Sequence, residues 1–414
     1  MSTSSASAKA SSASALGASA GLRPLPLHGI TVVSIEQAVA APFATRQLAD
    51  LGARVIKIER PGAGDFARSY DTSVHGMASH FVWLNRTKES DTLDLKRPEA
   101  ALILERLLER ADVFVQNLAP GATDRLGLGS EALRARYPRL VVCNVSGFGS
   151  TGPYADKKAY DLIVQSEVGI LSVTGTESTP CKVGVSIADI SAGMYAYSGI
   201  LTALLARKDT GAGNVVDVSL FDSLGEWMGY PVYYTAYGGS QPERTGASHA
   251  TIAPYGPFRT RDGAIVVAVH NDQEWIRFSA DVLHQPHLGT DPRFLTTPLR
   301  FEHRHAMTAA IEAVFGKLTS AEALQRLETA DIANARVNTV EDYLRHPQLE
   351  AGNSWRDVQS PVGPLKALRP PARLQGVEPA MGPIPDVGQH SEAVLEELGF
   401  ERPLIAQWKQ TGVI

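Results

Sequence analysis

The sequence predicts an α/β protein: an open parallel sheet flanked by helices, followed by a smaller second unit. Three observations lead there. Apolar, β-rich runs alternate with helical runs through the first half of the chain. The earliest strand, helix and second strand fit within about thirty residues, the length of a βαβ unit. Later, "YGGSQPERTGASHATIAPYG" breaks the rhythm with Gly, Pro, Ser and Thr, and shorter elements follow it.

Along the chain, "GITVVSI" is the first buried strand. After "EQAVAAP", in which Pro42 can open a helix, "FATRQLADLG" is that helix and Gly52 closes it. "ARVIKIE" is the second strand, and a parallel pair requires a right-handed crossover. "DTLDL" reads as a strand, and "RPEAALILERLLERA" as a helix with Pro98 near its start. "DVFVQNL" and "RLVVCNVSGFG" read as further strands. Ser191 to Leu205 reads as a helix with Met194, Ile200, Leu201, Leu204 and Leu205 towards the core. "GNVVDVSLFDSLGEWMGY" adds a strand and a helix, "AIVVAVHN" a strand of the second unit, and "TSAEALQRLETA" and "SEAVLEELGF" late helices.

With 414 residues, 44% of them hydrophobic and 20% charged, the chain is long enough for two core-bearing units of an ordinary soluble protein. A net charge of −5 gives no reason to expect nucleic acid or an acidic membrane as partner. Two cysteines, Cys143 and Cys181, form neither a disulfide framework nor a thiolate knuckle, so a cytoplasmic location is expected. The Ser/Ala-rich start has neither a secretory core nor the arginines of a transit peptide, and residues 1–26 are expected to form a disordered tail. No apolar run is long enough for a bilayer span. The chain lacks G-x-G-x-x-G, a Walker A sequence and a G-x-S-x-G elbow. His284 with His287 and His303 with His305 have no acid at a ligand spacing, so no metal is expected.

One carboxylate stands apart. In "VSIADISAGMYAYSGIL", Asp189 is the single charged residue, placed just before the expected helix. Two readings follow: a cap for that helix, or an anionic nucleophile favoured by the helix N-terminus with room for a ligand beside Ala188, Ser191, Ala192 and Gly193. Cations recur at strand ends: Arg60 in "VIKIER", Lys88 in "WLNRTK", Arg125 in "APGATDRLG" and Lys158 in "DKKAYD". Arg60 and Arg125 follow strands expected to be neighbours, so both belong at the carboxyl edge of one sheet, where open α/β folds bind ligands. Several cations there suit a phosphorylated, nucleotide-like ligand.

Taken in order, "LADLGARVIKIERPGAGDFAR", "LNRTKESDTLDLKRPE", "ADVFVQNLAPGATDRLGLG", "VSGFGSTGPYADKKAYDL", "VSIADISAGMYAYSGILTALLARKDTGAG" and "VGQHSEAVLEELGF" resemble the class III CoA-transferase family, which includes formyl-CoA transferase and carnitine CoA-transferase. The resemblance runs from about Leu27 to the C-terminus. It implies a Rossmann-like large domain built from both chain ends, a small central domain, and a homodimer of interlocked subunits. The corresponding division is a tail 1–26, a large CoA-binding domain 27–222, a linker 223–245, a small domain 246–330, and a linker returning to the large domain over 331–414. It implies that Asp189 is the nucleophile, with capping as a second role, and that CoA and acyl-CoA are substrates, with no cofactor held permanently. Gln37 and Ala40 are then expected at the pantetheine end. Arg60, Leu84, Lys88, Asn117, Leu118 and Arg125 are expected around the nucleotide, with Lys158 and Tyr160 nearby.

Two departures shape the expected substrate. Some relatives have histidine where Gln37 stands, and "TGASHATIAPYG" has fewer glycines than the shielding loop of formyl-CoA transferase. The loop departure weighs against formyl-CoA and oxalate. "KKAYDLIVQSEVGILSVTGT" and "TGASHATIAPYGPF" resemble relatives handling small dicarboxylates, so the expected partners are an acyl-CoA and a small dicarboxylic acid of the succinate, mesaconate, itaconate or citramalate type, with Arg244, His249 and Tyr255 as candidates for the distal carboxylate. The alternatives are an α-methylacyl-CoA racemase, which has histidine in place of Tyr160, and a noncatalytic CoA-binding protein. A tyrosine of ordinary pKa, about 10, is a poor proton carrier near neutrality.

Overall fold

A computed structural model describes residues 24–414. The expected tail therefore lies outside the described residues, apart from its last three. Of these, Leu25 packs under Gly52, whose positive φ and missing Cβ leave room for it.

Six parallel strands form the principal sheet: β1 (Thr31–Ile35), β2 (Arg54–Glu59), β3 (Lys88–Thr92), β4 (Val113–Gln116), β5 (Val141–Ser146) and β6 (Val215–Ser219). Their order is β3-β2-β1-β4-β5-β6, with parallel pairing throughout. Chain direction across the sheet reverses between β1 and β4, which makes their carboxyl ends the topological switch point. The period of two in the strands feeds two cores. Val32, Val55, Val113, Val141 and Cys143 meet the helices Ala40–Asp50 and Ile187–Thr210 on one face. Val33, Ile56, Phe114 and Val142 meet helix Pro98–Arg110 on the other. Helices Ser391–Glu397 and Arg402–Gln410 join this second face through Val394, Leu395, Ile405 and Trp408, so the chain end completes the core begun near its start.

A separate core spans Ala253 to Ile332. There β7 (Tyr255–Thr260), β8 (Gly263–Ala268) and β9 (Ala333–Arg336) form an antiparallel sheet covered by helices such as Arg304–Phe315 and Ser320–Thr329. A hairpin, β10 (Trp355–Val358) with β11 (Leu365–Leu368), lies on the return path.

The structure departs from the sequence reading in four places. The third strand is "KESDT", not "DTLDL": its outer side is held by the returning chain, with Ser90 N–H donating to His390 Nδ1 at 3.1 Å and Thr92 N–H to Ser391 Oγ at 2.8 Å. Arg60 and Arg125 follow β2 and β4, which flank β1 and are not adjacent. The stretch 223–245, read as linker, holds the end of helix Leu220–Trp227 and the whole of helix Gly229–Gly238. The long helix begins at Ile187 and ends at Thr210, and its core face is Ala188, Ala192, Ala196, Ile200 and Leu204, whereas Met194 and Leu205 are exposed.

Candidate active site

The switch point is built around the turn that leaves β1. Asn117, at the end of β4, clasps that turn: its Oδ1 accepts the Gln37 N–H at 2.9 Å and its Nδ2 donates to the Gln37 carbonyl at 2.8 Å. Ala38 follows with φ of 62°, a left-handed conformation that costs a residue with a Cβ. Its N–H donates to Asp65 Oδ1 at 3.1 Å, and the buried Lys57 ammonium holds Asp65 Oδ2 at 2.6 Å. Asn117 thus spends its side-chain amide on the loop, while Gln37 keeps its own side chain unengaged among the described residues. Leu118 follows on the same turn, its N–H held by Gln116 Oε1 at 2.8 Å.

Beneath this loop, Lys88 is enclosed. Its ammonium donates to Glu36 Oε1 at 2.6 Å, to the Pro42 carbonyl at 3.1 Å and to Asn85 Oδ1 at 3.1 Å. Burial, helped by the Lys57 charge, pulls its pKa down to about 8 against the attraction of Glu36. Three donors are thereby occupied, so this geometry gives Lys88 a supporting place under the loop with no free donor for a phosphate. Leu84 is likewise fully buried.

The free cations lie elsewhere on the same edge. Arg60 after β2, Arg125 after β4 and Lys158 after β5 are exposed, and none forms an ion pair among the described residues. Neighbouring Lys157, by contrast, is paired with Glu167. Unpaired guanidinium and ammonium groups at the carboxyl edge of a switch-point sheet are suited to phosphate.

Asp189 occupies the first turn of helix Ile187–Thr210, within the helix and not ahead of it. It does not cap. The capping acceptor is Asp161, whose Oδ1 takes the Ala188 N–H at 2.8 Å. Asp161 Oδ2 in turn accepts from Gln165 Nε2 at 2.6 Å, and buried Gln165 accepts the Val183 N–H at 2.9 Å. Asp189 is left without a hydrogen-bond partner or ion pair among the described residues. Burial, and then the Asp161 charge, raise its pKa to about 7. Tyr70 feels burial first and then the charges of Asp65 and Asp189, with Tyr160 beyond, and its pKa is pushed up to about 12. Tyr160 itself is 67% exposed, immediately ahead of helix Asp161–Val168.

Gly193 brings the two sides of the site together. A Cβ there would stand 2.7 Å from the Ala40 carbonyl oxygen and 3.0 Å from Phe43 Cβ. The helix bearing Asp189 therefore packs directly on the helix that follows the Gln37 loop, with Ala40 at the contact.

The three candidates for a distal carboxylate separate. Arg244 is spent on carbonyls: its guanidinium donates to Thr176 at 2.9 Å, Glu177 at 2.8 Å and Ser172 at 3.4 Å, tying the entrance of the small unit to the segment before Asp189. His249 Nδ1 accepts the N–H groups of Thr251 at 3.2 Å and Ile252 at 3.1 Å, which leaves its proton on Nε2. Burial and His270 lower its pKa, so the ring is a neutral donor. It stacks on Tyr255 with centroids 5.2 Å apart. Asp161, Asp65 and Tyr70 were not among the sequence candidates. Asp161 follows Tyr160 directly in "AYDL", but only its bond to Ala188 reveals a role.

A family model described as CoA-transferase family III matches residues 27–391. The chain is 32% identical over 394 residues to the succinyl-CoA:glutarate CoA-transferase of Mus musculus, covering 94% of this chain and 90% of that protein. It is 33% identical over 382 residues to the succinyl-CoA–D-citramalate CoA-transferase of Chloroflexus aurantiacus, covering 91% and 94%. The crystal structure of a CAIB/BAIF family protein from Brucella suis superposes with a TM-score of 0.81 at 34% identity, covering 91% of this chain and 100% of that one.

Proposed function

This chain belongs to CoA-transferase family III and is a CoA-transferase, and from that premise we propose that it moves coenzyme A between small dicarboxylic acids through a covalent intermediate on Asp189. The observation that carries the covalent step is the state of Asp189: half-buried, without a partner, and next to a capping residue that relieves it of any structural duty. An Asp189 oxygen attacks the thioester carbonyl carbon. The C–S bond breaks, and the electron pair leaves on sulfur, giving an aspartyl–acyl anhydride and CoA thiolate. The thiolate attacks the aspartyl carbonyl and releases the donor acid, leaving an aspartyl-CoA thioester. The acceptor carboxylate attacks this thioester, CoA leaves again, and it returns to the acyl carbonyl of the new anhydride. Each intermediate remains an activated acyl group.

Arg60, Arg125 and Lys158 are proposed to hold the CoA phosphates. Gln37, Ala40, Asn117 and Leu118 form the wall of the site nearest the sheet, with Lys88 and Leu84 supporting it from below. Tyr160 lies at the entrance. The neutral His249 donor, stacked on Tyr255, is the candidate for a distal carboxylate, and Arg244 anchors its loop. The relatives named above act on succinyl-CoA with glutarate or citramalate, which supports a dicarboxylate substrate here. CoA is substrate and no resident cofactor is invoked.

We also propose a homodimer, the interlocked arrangement included. Helix Gly229–Gly238 buries none of its residues in one chain, and Tyr233 and Tyr237 are 67% and 84% exposed. A location in the cytoplasm is part of the same proposal; no helix among the described residues is long and apolar enough to cross a membrane.

The deciding experiment supplies succinyl-CoA with a panel of free acids, and mesaconyl-CoA alone, in deuterated water. New CoA esters without α-deuterium are expected. Rapid α-deuteration of a 2-methylacyl-CoA without carboxylate exchange would mean a racemase, and reaction with monocarboxylates only would remove the dicarboxylate part.

A further inference from the structure

We propose that Asp161 is a positioning residue for the nucleophile: it caps the helix that carries Asp189, and its fixed charge disfavours the free Asp189 carboxylate relative to the acylated side chain. The proposal rests on the reading of Asp189 as nucleophile. Its geometric basis is a side chain fixed from both ends. Asp161 Oδ1 is bound to the Ala188 N–H at 2.8 Å, one residue before Asp189, and Oδ2 to Gln165 Nε2 at 2.6 Å. Buried Gln165 is itself anchored by the Val183 N–H, so the carboxylate cannot swing away without breaking this part-buried network.

Among the described residues no cation offsets the resulting like-charge pair. Asp161 and Asp189 form no ion pair among the described residues, and the groups acting on Asp189 are burial and Asp161, with Tyr70 alongside. Acylation removes the conflict. When an Asp189 oxygen bonds to the thioester carbon and the C–S pair leaves on sulfur, the negative charge moves from Asp189 to the thiolate. Asp161 then faces a neutral acyl group. The repulsion exists before the step and not after it, so it favours the adduct. A carboxylate made more basic is also the stronger nucleophile. A helix cap alone needs an oxygen acceptor but no charge, since serine and asparagine cap as well as aspartate.

Three variants separate the two duties. Asp161→Asn and Asp161→Ser keep an oxygen for the Ala188 N–H without charge; Asp161→Glu keeps the charge. The readout is rapid quench with succinyl-CoA, scored as the fraction of enzyme carrying an adduct on the Asp189 peptide, together with the pH profile of adduct formation. In both uncharged variants we expect the adduct fraction to fall several-fold and the acid limb of the profile to move to lower pH. The KM for succinyl-CoA is expected to stay near wild type, and Asp161→Glu to recover part of the adduct. Folded uncharged variants with the wild-type adduct fraction and acid limb would overturn the proposal, leaving Asp161 a cap. So would lost stability and raised KM with no movement of the limb. A wild-type enzyme that yields no Asp189 adduct is a distinct result, which removes the nucleophile and the proposal with it.

Discussion

A carboxyl raised to about 7 is only partly ionised near neutral pH, and in the proposed mechanism the ionised form of Asp189 attacks. The kcat/KM for a CoA ester is therefore expected to rise with pH through about 7, measurable as a single-ionisation acid limb. Asp189→Ala is expected to abolish transfer while leaving the CoA-ester affinity largely intact. The same shift has a stability consequence. The folded chain holds the Asp189 proton to higher pH than the unfolded chain does, so stability falls as pH rises from about 4 to about 7. Asp189→Asn removes this penalty. Its melting temperature is expected to exceed that of the wild type at pH 8, with the difference closing towards pH 4. The gain at pH 8 has a ceiling of about 4 kcal/mol, at about 1.4 kcal/mol per pH unit, and partial exposure reduces it. Equal melting curves at both pH values would show that the carboxylate is not strained. That Asp189 stands apart was legible in the sequence, because it is the sole charge in a run of small and apolar residues. That it does not cap was not legible. The capping oxygen comes from Asp161, 27 residues before the Ala188 N–H it accepts, and a local pattern carries no information about such a partner.

At the scale of elements, the two helices that meet at Gly193 fix the separation of Asp189 from the Gln37 loop. Alanine at an interior helix position ordinarily stabilises by about 1 kcal/mol over glycine. Here the new Cβ would meet the Ala40 carbonyl at 2.7 Å, and backbone oxygen cannot rotate aside. Gly193→Ala is therefore expected to lose stability, by roughly 1–3 kcal/mol, and to lose kcat as Asp189 shifts. A denaturant midpoint at or above the wild-type value would mean that the helices separate freely. The strands whose cores are apolar, β1, β2, β4, β5 and β6, were legible because alternating faces both need burial. The edge strand β3 was not. Lys88, Ser90 and Asp91 are buried there, a pattern that reads as surface until the returning segment 388–391 and the Glu36 carboxylate are seen to cover it. The enclosure of Lys88 was hidden for the same reason: its partner Glu36 stands 52 residues earlier.

The molecule as a whole carries a net charge of −5, yet it presents cations without an ion pair among the described residues at one edge of one sheet. This contrast bears on how a polyanionic ester is held. Because β1 lies between β2 and β4, Arg60 and Arg125 sit on opposite sides of the switch point, on separate connections, with no shared ion-pair partner among the described residues. One phosphate group is therefore a poor match for both, whereas an extended ligand with phosphates at two places can engage each. Arg60→Ala and Arg125→Ala are each expected to raise the KM for succinyl-CoA about tenfold to a hundredfold, the equivalent of roughly 1.5–3 kcal/mol for a charge-assisted bond. Their kcat values should change much less, since both arginines are proposed to hold phosphate and not the reacting carbonyl. Separate connections also predict additive effects in the double variant. Added salt should weaken the wild type's hold on the ester more than that of the double variant, because exposed charges are screened. Unchanged KM in both single variants would mean that these arginines only face solvent, and strong non-additivity would mean that they share one phosphate.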